Sequence, residues 1–251
     1  PMKWLDNWPI IGIDIDGNTK AGYGSDDCVL ASFACDGSYR WSTIVGGVGE
    51  DFIQNMQVDA NGDVYVIGKT NYGSQFQELF HFDATTVLPF SNVNLKRIYV
   101  AKYSGSTGNV LWYKFPQPNG WTNSQYFESA FYDFDLTSDG KLHILSRLRD
   151  GVYADGQFNN TVVGLNYFIL QYDTSGNFVS AVPLDMNVSQ SIDKRKMCTV
   201  KKHPINGNYY IAGSKSTNDA SISIGGQTLT SPYYVSCFSA IGQFLWVKTV
   251  T

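Results

Sequence analysis

Apolar positions along this chain fall into short runs broken by glycine-containing turns, and no stretch carries the three-and-four spacing of an amphipathic helix. Four segments share one pattern. They are Cys28-Val29-Leu30-Ala31-Ser32-Phe33 before Gly37, Ile98-Tyr99-Val100-Ala101-Lys102-Tyr103 before Gly108, Tyr167-Phe168-Ile169-Leu170-Gln171-Tyr172 before Gly176, and Tyr233-Tyr234-Val235-Ser236-Cys237-Phe238 before Gly242. Each reads as strand, turn, strand. A tryptophan follows the glycine by four residues in three copies (Trp41, Trp112, Trp246), and Ser180 takes that place in the other. A second pattern alternates with the first, over 56–68 around Asn61-Gly62, 134–145 around Asp139-Gly140, 206–213 around Asn206-Gly207 and, more weakly, 11–22 around Asp16-Gly17. Asn-Gly and Asp-Gly supply the positive φ of a tight hairpin turn, and β-branched or aromatic residues flank them.

The alternation predicts eight hairpins and therefore sixteen strands in four sheets of four. Because the series opens on one hairpin type and ends on the other, the two ends are complementary. The fold expected is an all-β β-propeller of four blades of four antiparallel strands, a single domain over 1–251, its ring closed by pairing the N- and C-terminal hairpins. Near-continuous apolar runs such as Tyr167 to Leu170 suit strands packed on both faces. The opening copy departs from the pattern, with Thr19-Lys20 where the others place apolar residues.

An apolar strand ending Ala101-Lys102-Tyr103, a Gly108-Asn109 turn and Trp112, together with Val58-Asp59-Ala60-Asn61-Gly62-Asp63-Val64-Tyr65-Val66-Ile67-Gly68, resembles the SBBP-type bacterial β-propeller repeats. The segment 27–70, with Gly46-Gly47, is its best copy. That resemblance implies a surface or secreted propeller without catalytic residues to carry over. Thr107-Gly108-Asn109-Val110-Leu111-Trp112 also resembles the T-G-x-x-x-W core of quinoprotein propeller repeats, but no metal-ligand set or vicinal cysteines accompany it. No cofactor or metal is expected.

Composition narrows the partners. With 18 basic and 22 acidic residues in 251, a net charge of −4 and no basic run longer than Lys194-Arg195-Lys196, neither nucleic acid nor an anionic membrane is an expected partner. No window is apolar for long enough to span a bilayer, and the first residues do not read as a signal peptide. Pro1, standing before Met2, reads as a tag remnant. Cys28, Cys35, Cys198 and Cys237 fit neither a paired metal site nor a disulfide framework and read as small strand residues.

Candidate chemistry sits in the long connections, 71–96, 116–128, 150–165 and 214–232. In the second of these, Trp121 and Tyr126 with Asn119, Asn123 and Gln125 would offer a stacking face plus amide hydrogen bonds, the combination that sugars favour. The alternative folds Trp121 back on a blade edge. Gly156-Gln157 and Gly226-Gln227 read as a repeated structural element. Asp14-Ile15-Asp16-Gly17-Asn18 lacks the EF-hand Gly and Glu, because Thr19 and Ser25 occupy those places, and reads as a hairpin turn. Asp133 and Asp135, two apart on one strand, would face the same side and form a candidate acid pair for catalysis or metal binding. His81, His143 and His203 share no common offset, so no shared metal site is expected.

The expectation is a non-enzymatic recognition or adhesion module that binds a glycan or a protein through its loops. The alternatives are a structural or receptor-binding head of a larger assembly, such as a phage tail fibre or bacterial surface fibre packed against other chains, and a carbohydrate-active enzyme. An extracellular, cell-surface or virion-associated location goes with these readings.

Overall fold

The structure, a computed structural model, describes residues 2–3, 13–15, 17–24, 26–70, 78–90, 97–117, 129–187, 198–214 and 222–250. Two compact units divide the chain, Pro1–Phe127 and Glu128–Thr251. The strand pairs of both are antiparallel, and among the described residues the 3-10 turn Ala154–Gly156 is the one helical element.

The first unit runs β1 (Met2–Lys3), β2 (Ile13–Ile15), β3 (Asn18–Lys20), β4 (Asp26–Phe33), β5 (Tyr39–Gly47), β6 (Phe52–Val58), β7 (Val64–Thr70), β8 (Glu78–His81), β9 (Val87–Phe90), β10 (Arg97–Tyr103) and β11 (Val110–Lys114). Its second sheet is a four-stranded meander, β6-β7-β10-β11, which unites one hairpin of each sequence type. Its first sheet has the order β1-β4-β5-β8-β9. The hairpin β8–β9 lies in the chain between β7 and β10, yet it pairs with β5 through Gly46↔His81 and Gly47↔Phe80. Connection 71–96 therefore carries a strap between the two sheets. Gly47 is needed there, since a Cβ would stand 2.6 Å from the Leu79 carbonyl. Phe80 and Phe82 are carried by this strap into a core with Leu30, Trp41, Val45, Val64, Val66, Tyr99, Ala101 and Tyr103. Phe82 stacks on Tyr113 at 4.4 Å and meets Phe80 and Tyr99 edge-on.

The second unit runs β12 (Ala130–Thr137), β13 (Lys141–Tyr153), β14 (Phe158–Asp173), β15 (Phe178–Leu184), β16 (Met186–Asn187), β17 (Cys198–Lys202), β18 (Tyr209–Ser214), β19 (Ile222–Ile224), β20 (Gln227–Leu229), β21 (Tyr233–Phe238) and β22 (Phe244–Val250). Two more four-stranded meanders result, β12-β13-β14-β15 and β17-β18-β21-β22, and β19–β20 pairs with β16. Again a hairpin inserted between the second and third strands of one sheet reaches the strand that follows the preceding sheet. Gly156 (φ +90) and Gly226 (φ +72) turn the two inserted hairpins of this unit.

Three meanders thus follow the predicted order of hairpins. The opening hairpin does not complete a fourth in that way: β2–β3 pairs only with itself among the described residues, and β4 takes β1 as its neighbour through Met2↔Asp27 and Lys3↔Asp26. Asn18, Thr19 and Lys20 give β3 no apolar face to bury. Among the described residues no sheet closes on itself.

The glycine and tryptophan of the repeat act across neighbouring sheets. Gly108 turns β10 into β11 at φ +73, and a Cβ on it would stand 2.4 Å from Cε3 of Trp41 on β5. The Trp41 indole N–H donates to the Gly105 carbonyl of the same turn at 2.8 Å. Where Ser180 replaces tryptophan, the turn of the next sheet closes in further, and a Cβ on Gly242 would stand 2.1 Å from the Pro183 carbonyl. Gly108→Ala is therefore expected to destabilise by about 3 kcal/mol, combining left-handed backbone strain with overpacking, and to lower the melting temperature by roughly 5–10 °C. Gly37→Ala, at φ +85 with nothing within 4 Å, carries only the backbone strain, about 1 kcal/mol. Thermal melting of the two variants side by side checks this ordering.

Candidate functional site

Asn119, Trp121, Asn123, Gln125 and Tyr126 lie outside the described residues. Asp133 and Asp135 are described and buried on β12, and both engage backbone and side-chain groups of β17. Asp133 accepts from the Val200 N–H at 2.9 Å and from the Thr199 hydroxyl, while Asp135 accepts from the Lys202 N–H at 2.9 Å and pairs with the Lys201 ammonium at 2.5 Å. These N–H groups belong to the edge of β17 that faces away from β18. The acid pair stands in for a missing neighbouring strand there.

Beside it lies a buried polar row. His143 on β13 is fully buried, with Nδ1 3.0 Å from the Tyr209 hydroxyl and Nε2 3.3 Å from Nζ of Lys202. An ammonium only donates, so Nε2 accepts and the neutral ring carries its proton on Nδ1. The Gln171 amide also donates to the Tyr209 hydroxyl at 3.1 Å. Burial first, and the Lys202 charge second, pull His143 down to about 4, and burial pushes Tyr209 up to about 12. His81 lies in the other unit, stacked on Tyr23 at 3.6 Å, and the His203 ring accepts from the Ile205 and Asn206 N–H groups of its own turn. No group of three metal-ligating side chains occurs among the described residues. The four cysteines are free thiols, and burial holds Cys198, 3.0 Å from the Tyr234 hydroxyl, up near 12, far from a nucleophilic thiolate.

The roomier chemistry lies in the first unit, on either side of Trp41. One cavity of 480 Å³ is walled by Tyr39, Arg40, Trp41, Ser42 and Thr43 of β5, by Thr19, Lys20 and Tyr23 after the opening turn, by Asp83, and by Thr107 and Asn109 of the Gly108 turn. That volume lies within the range of small-ligand sites, about 300–1,000 Å³. The Tyr39 and Ser42 hydroxyls are 3.0 Å apart. Asp83 is spent on structure, with one oxygen accepting from the Thr85 N–H, the Thr85 hydroxyl and the Thr86 N–H and the other accepting from the Val110 N–H at 2.7 Å. Burial opposes its charge, but these donors prevail and hold it below the usual carboxylate range. Neither the Lys20 nor the Arg40 side chain forms a hydrogen bond or ion pair among the described residues. Across Trp41 a wider groove of 820 Å³ is lined by Phe33, Met56 and Val58, exposed by 46%, 51% and 54%.

The repeat pattern itself explains why Tyr39, Arg40 and Trp41 escape a search for motifs: they read as blade residues. The signal was a break in register. Arg40, three residues after Gly37, stands where the other copies hold Leu111, Val179 and Leu245, and Lys20 stands where they hold Tyr65, His143 and Tyr210.

A family model, the SBBP beta-propeller repeat, matches residues 40–72. The chain is thus an all-β protein carrying a beta-propeller repeat, and it resembles the SBBP-type repeats. The matched stretch runs from β5 through β7 and includes Arg40, Trp41, Gly46-Gly47 and the Asp59 to Asp63 turn. Within the same sheet Lys102 bridges that turn, 2.8 Å from Asp63 and 5.0 Å above the Tyr65 ring, which ties the Ala-Lys-Tyr segment of the motif to its Val-Asp-x-x-Gly-Asp segment. No curated protein matches the chain. No helix among the described residues is long and apolar enough to cross a membrane.

The buried imidazole makes stability depend on pH. Its folded pKa lies near 4 and the ordinary value is 6.5, so the unfolded chain takes up the proton first. The stabilisation is complete above pH 6.5 and falls as pH drops toward 4, by up to about 3 kcal/mol. His81, also lowered by burial, adds to the same trend. Denaturant unfolding at pH 7 and pH 4.5 should show that His143→Gln, which keeps an acceptor but cannot titrate, loses much less stability over this interval than the parent chain.

Proposed function

We propose that the chain is a non-enzymatic recognition module that binds a saccharide at the surface of a four-bladed propeller. The reading rests on the 480 Å³ cavity beside Trp41, where the Tyr23 and Tyr39 rings, the Ser42 and Thr43 hydroxyls and the Asn109 amide converge. Aromatic faces with hydroxyl and amide groups match the alternating apolar and hydroxyl-bearing surfaces of a sugar ring. The loop holding Trp121 and Tyr126 is proposed as a second contact region. No catalytic role is assigned, because the acids that would carry glycosidase chemistry are engaged by backbone. Such a module belongs at a cell surface, outside the cell or on a virion.

A second reading, the structural or receptor-binding head of a larger fibre, is favoured by one observation. The exposed Phe33, Met56 and Val58 form a groove suited to contact with another protein chain.

A glycan-array screen of the purified chain beside Tyr39→Ala and Trp121→Ala, each checked for unchanged melting, separates these readings. Saturable binding lost in Tyr39→Ala places the ligand in the cavity, and loss in Trp121→Ala alone moves it to the loop. Absence of binding, accompanied by stable oligomers, transfers the assignment to the assembly role.

Four blades in one ring, closed by the terminal hairpins, would unfold as a single cooperative domain. Calorimetry is expected to give one transition whose calorimetric and van't Hoff enthalpies agree. Two separable transitions, matched by separately expressed Pro1–Phe127 and Glu128–Thr251, would count against a closed ring.

A further inference from the structure

The two cations of the cavity beside Trp41 both stand where the repeat pattern is broken. Arg40 replaces an aliphatic residue that is half exposed in its counterparts, Leu111 at 53%, Val179 at 46% and Leu245 at 47%. A sheet gains nothing structurally from the change, because that position is solvated in every copy. Lys20, with Asn18 and Thr19, gives β3 no apolar face, and its hairpin pairs only with itself among the described residues. Residues that break a local rule without a structural return mark function.

The charges are also available. Two described carboxylates of this region hold donors of their own: Asp83 has three N–H and O–H donors on one oxygen and one on the other, and Asp36 has the Ser38 N–H and hydroxyl. Lys20 and Arg40 both line the cavity, Arg40 lining the groove across Trp41 as well; Arg40 is attracted to the exposed Asp36, and neither cation is in an ion pair among the described residues. In a chain of net charge −4 this is a local inversion of sign. A planar guanidinium holds a carboxylate through two parallel N–H bonds, and the lysine adds a point charge beside it.

We propose that the cavity selects acidic saccharides, with Arg40 and Lys20 receiving the carboxylate of a uronate- or sialate-type residue while Tyr23 and Tyr39 meet the ring. This rests on the saccharide reading and adds the chemical class. Arg40 and Lys20 are specificity residues, so their loss removes the preference for charge.

The test uses the full chain and a panel of uronate- and sialate-containing oligosaccharides, each beside its carboxyl-reduced neutral counterpart, with sulfated oligosaccharides as a third arm. Calorimetric titration should show the acidic form bound at least about tenfold more tightly than its reduced partner, with the difference shrinking as salt is raised. Arg40→Leu, which installs the residue of two other copies, should abolish the difference between the acidic and reduced forms at unchanged melting. Equal binding of both forms, unaffected by Arg40→Leu, overturns the acidic class and leaves saccharide binding standing. Preference for the sulfated arm over the carboxylated one also overturns it. Binding of no saccharide in any arm by a folded chain overturns this inference together with the reading beneath it.

Discussion

The indole of Trp41 is the contact on which the first unit depends. A four-stranded sheet whose strands are apolar on both faces cannot stand alone in water, so its outer strands must meet a neighbour. Trp41 makes that meeting specific. Its ring rests on the Gly108 turn, where no Cβ fits, and its N–H is satisfied by the Gly105 carbonyl. Removing the wedge would take the indole donor from the half-buried Gly105 carbonyl and remove a wall that the two cavities share. The walls of both cavities are where they are because this ring separates them.

The second unit solves the same problem with different residues, which shows that the constraint is the close approach of turn and strand rather than tryptophan itself. Ser180 removes the wedge, and the Gly242 turn settles on the Pro183 carbonyl instead. The inner edges are also joined, by carboxylates. Asp133 and Asp135 sit two apart on β12 and reach alternate N–H groups of β17, at Val200 and Lys202, matching the period of an extended strand. A paired-acid spacing that suggests catalysis is here the spacing of a capped strand edge.

Much of the fold was legible because hairpins announce themselves locally. Asp59 fixes its turn by accepting from the Asn61 and Asp63 N–H groups, with Gly62 at φ +86, and this chemistry is visible in six residues of sequence. Three meanders follow from counting such turns. The straps were not legible as straps: β8–β9 was read as loop because Leu79 to Phe82 and Val87 to Phe90 are too short to show a period, and their pairing with β5 is a long-range fact. The Gly46-Gly47 pair stands out in the sequence, but its reasons, room for the Asp27 carboxyl at Gly46 and for the Leu79 carbonyl at Gly47, lie in other parts of the chain. The fate of the opening hairpin was half legible, since Thr19-Lys20 already broke the pattern.

The candidate site was illegible for a related reason. Motifs are built of residues that recur, and in a repeat protein recurrence reports packing: the Gly108 and Trp41 positions recur because sheets must be turned and wedged. Residues free to recognise a ligand are those that the repeat does not dictate. Arg40 and Lys20 satisfy that condition, and Asp83 shows the opposite case, a carboxylate in the same cavity whose donors account for both of its oxygens. Sorting the wall of a cavity into residues explained by the fold and residues left over by it gives the remainder a chemical meaning. In this cavity the remainder is two cations, two tyrosine rings and a few hydroxyls, and its charge is opposite to that of the chain as a whole.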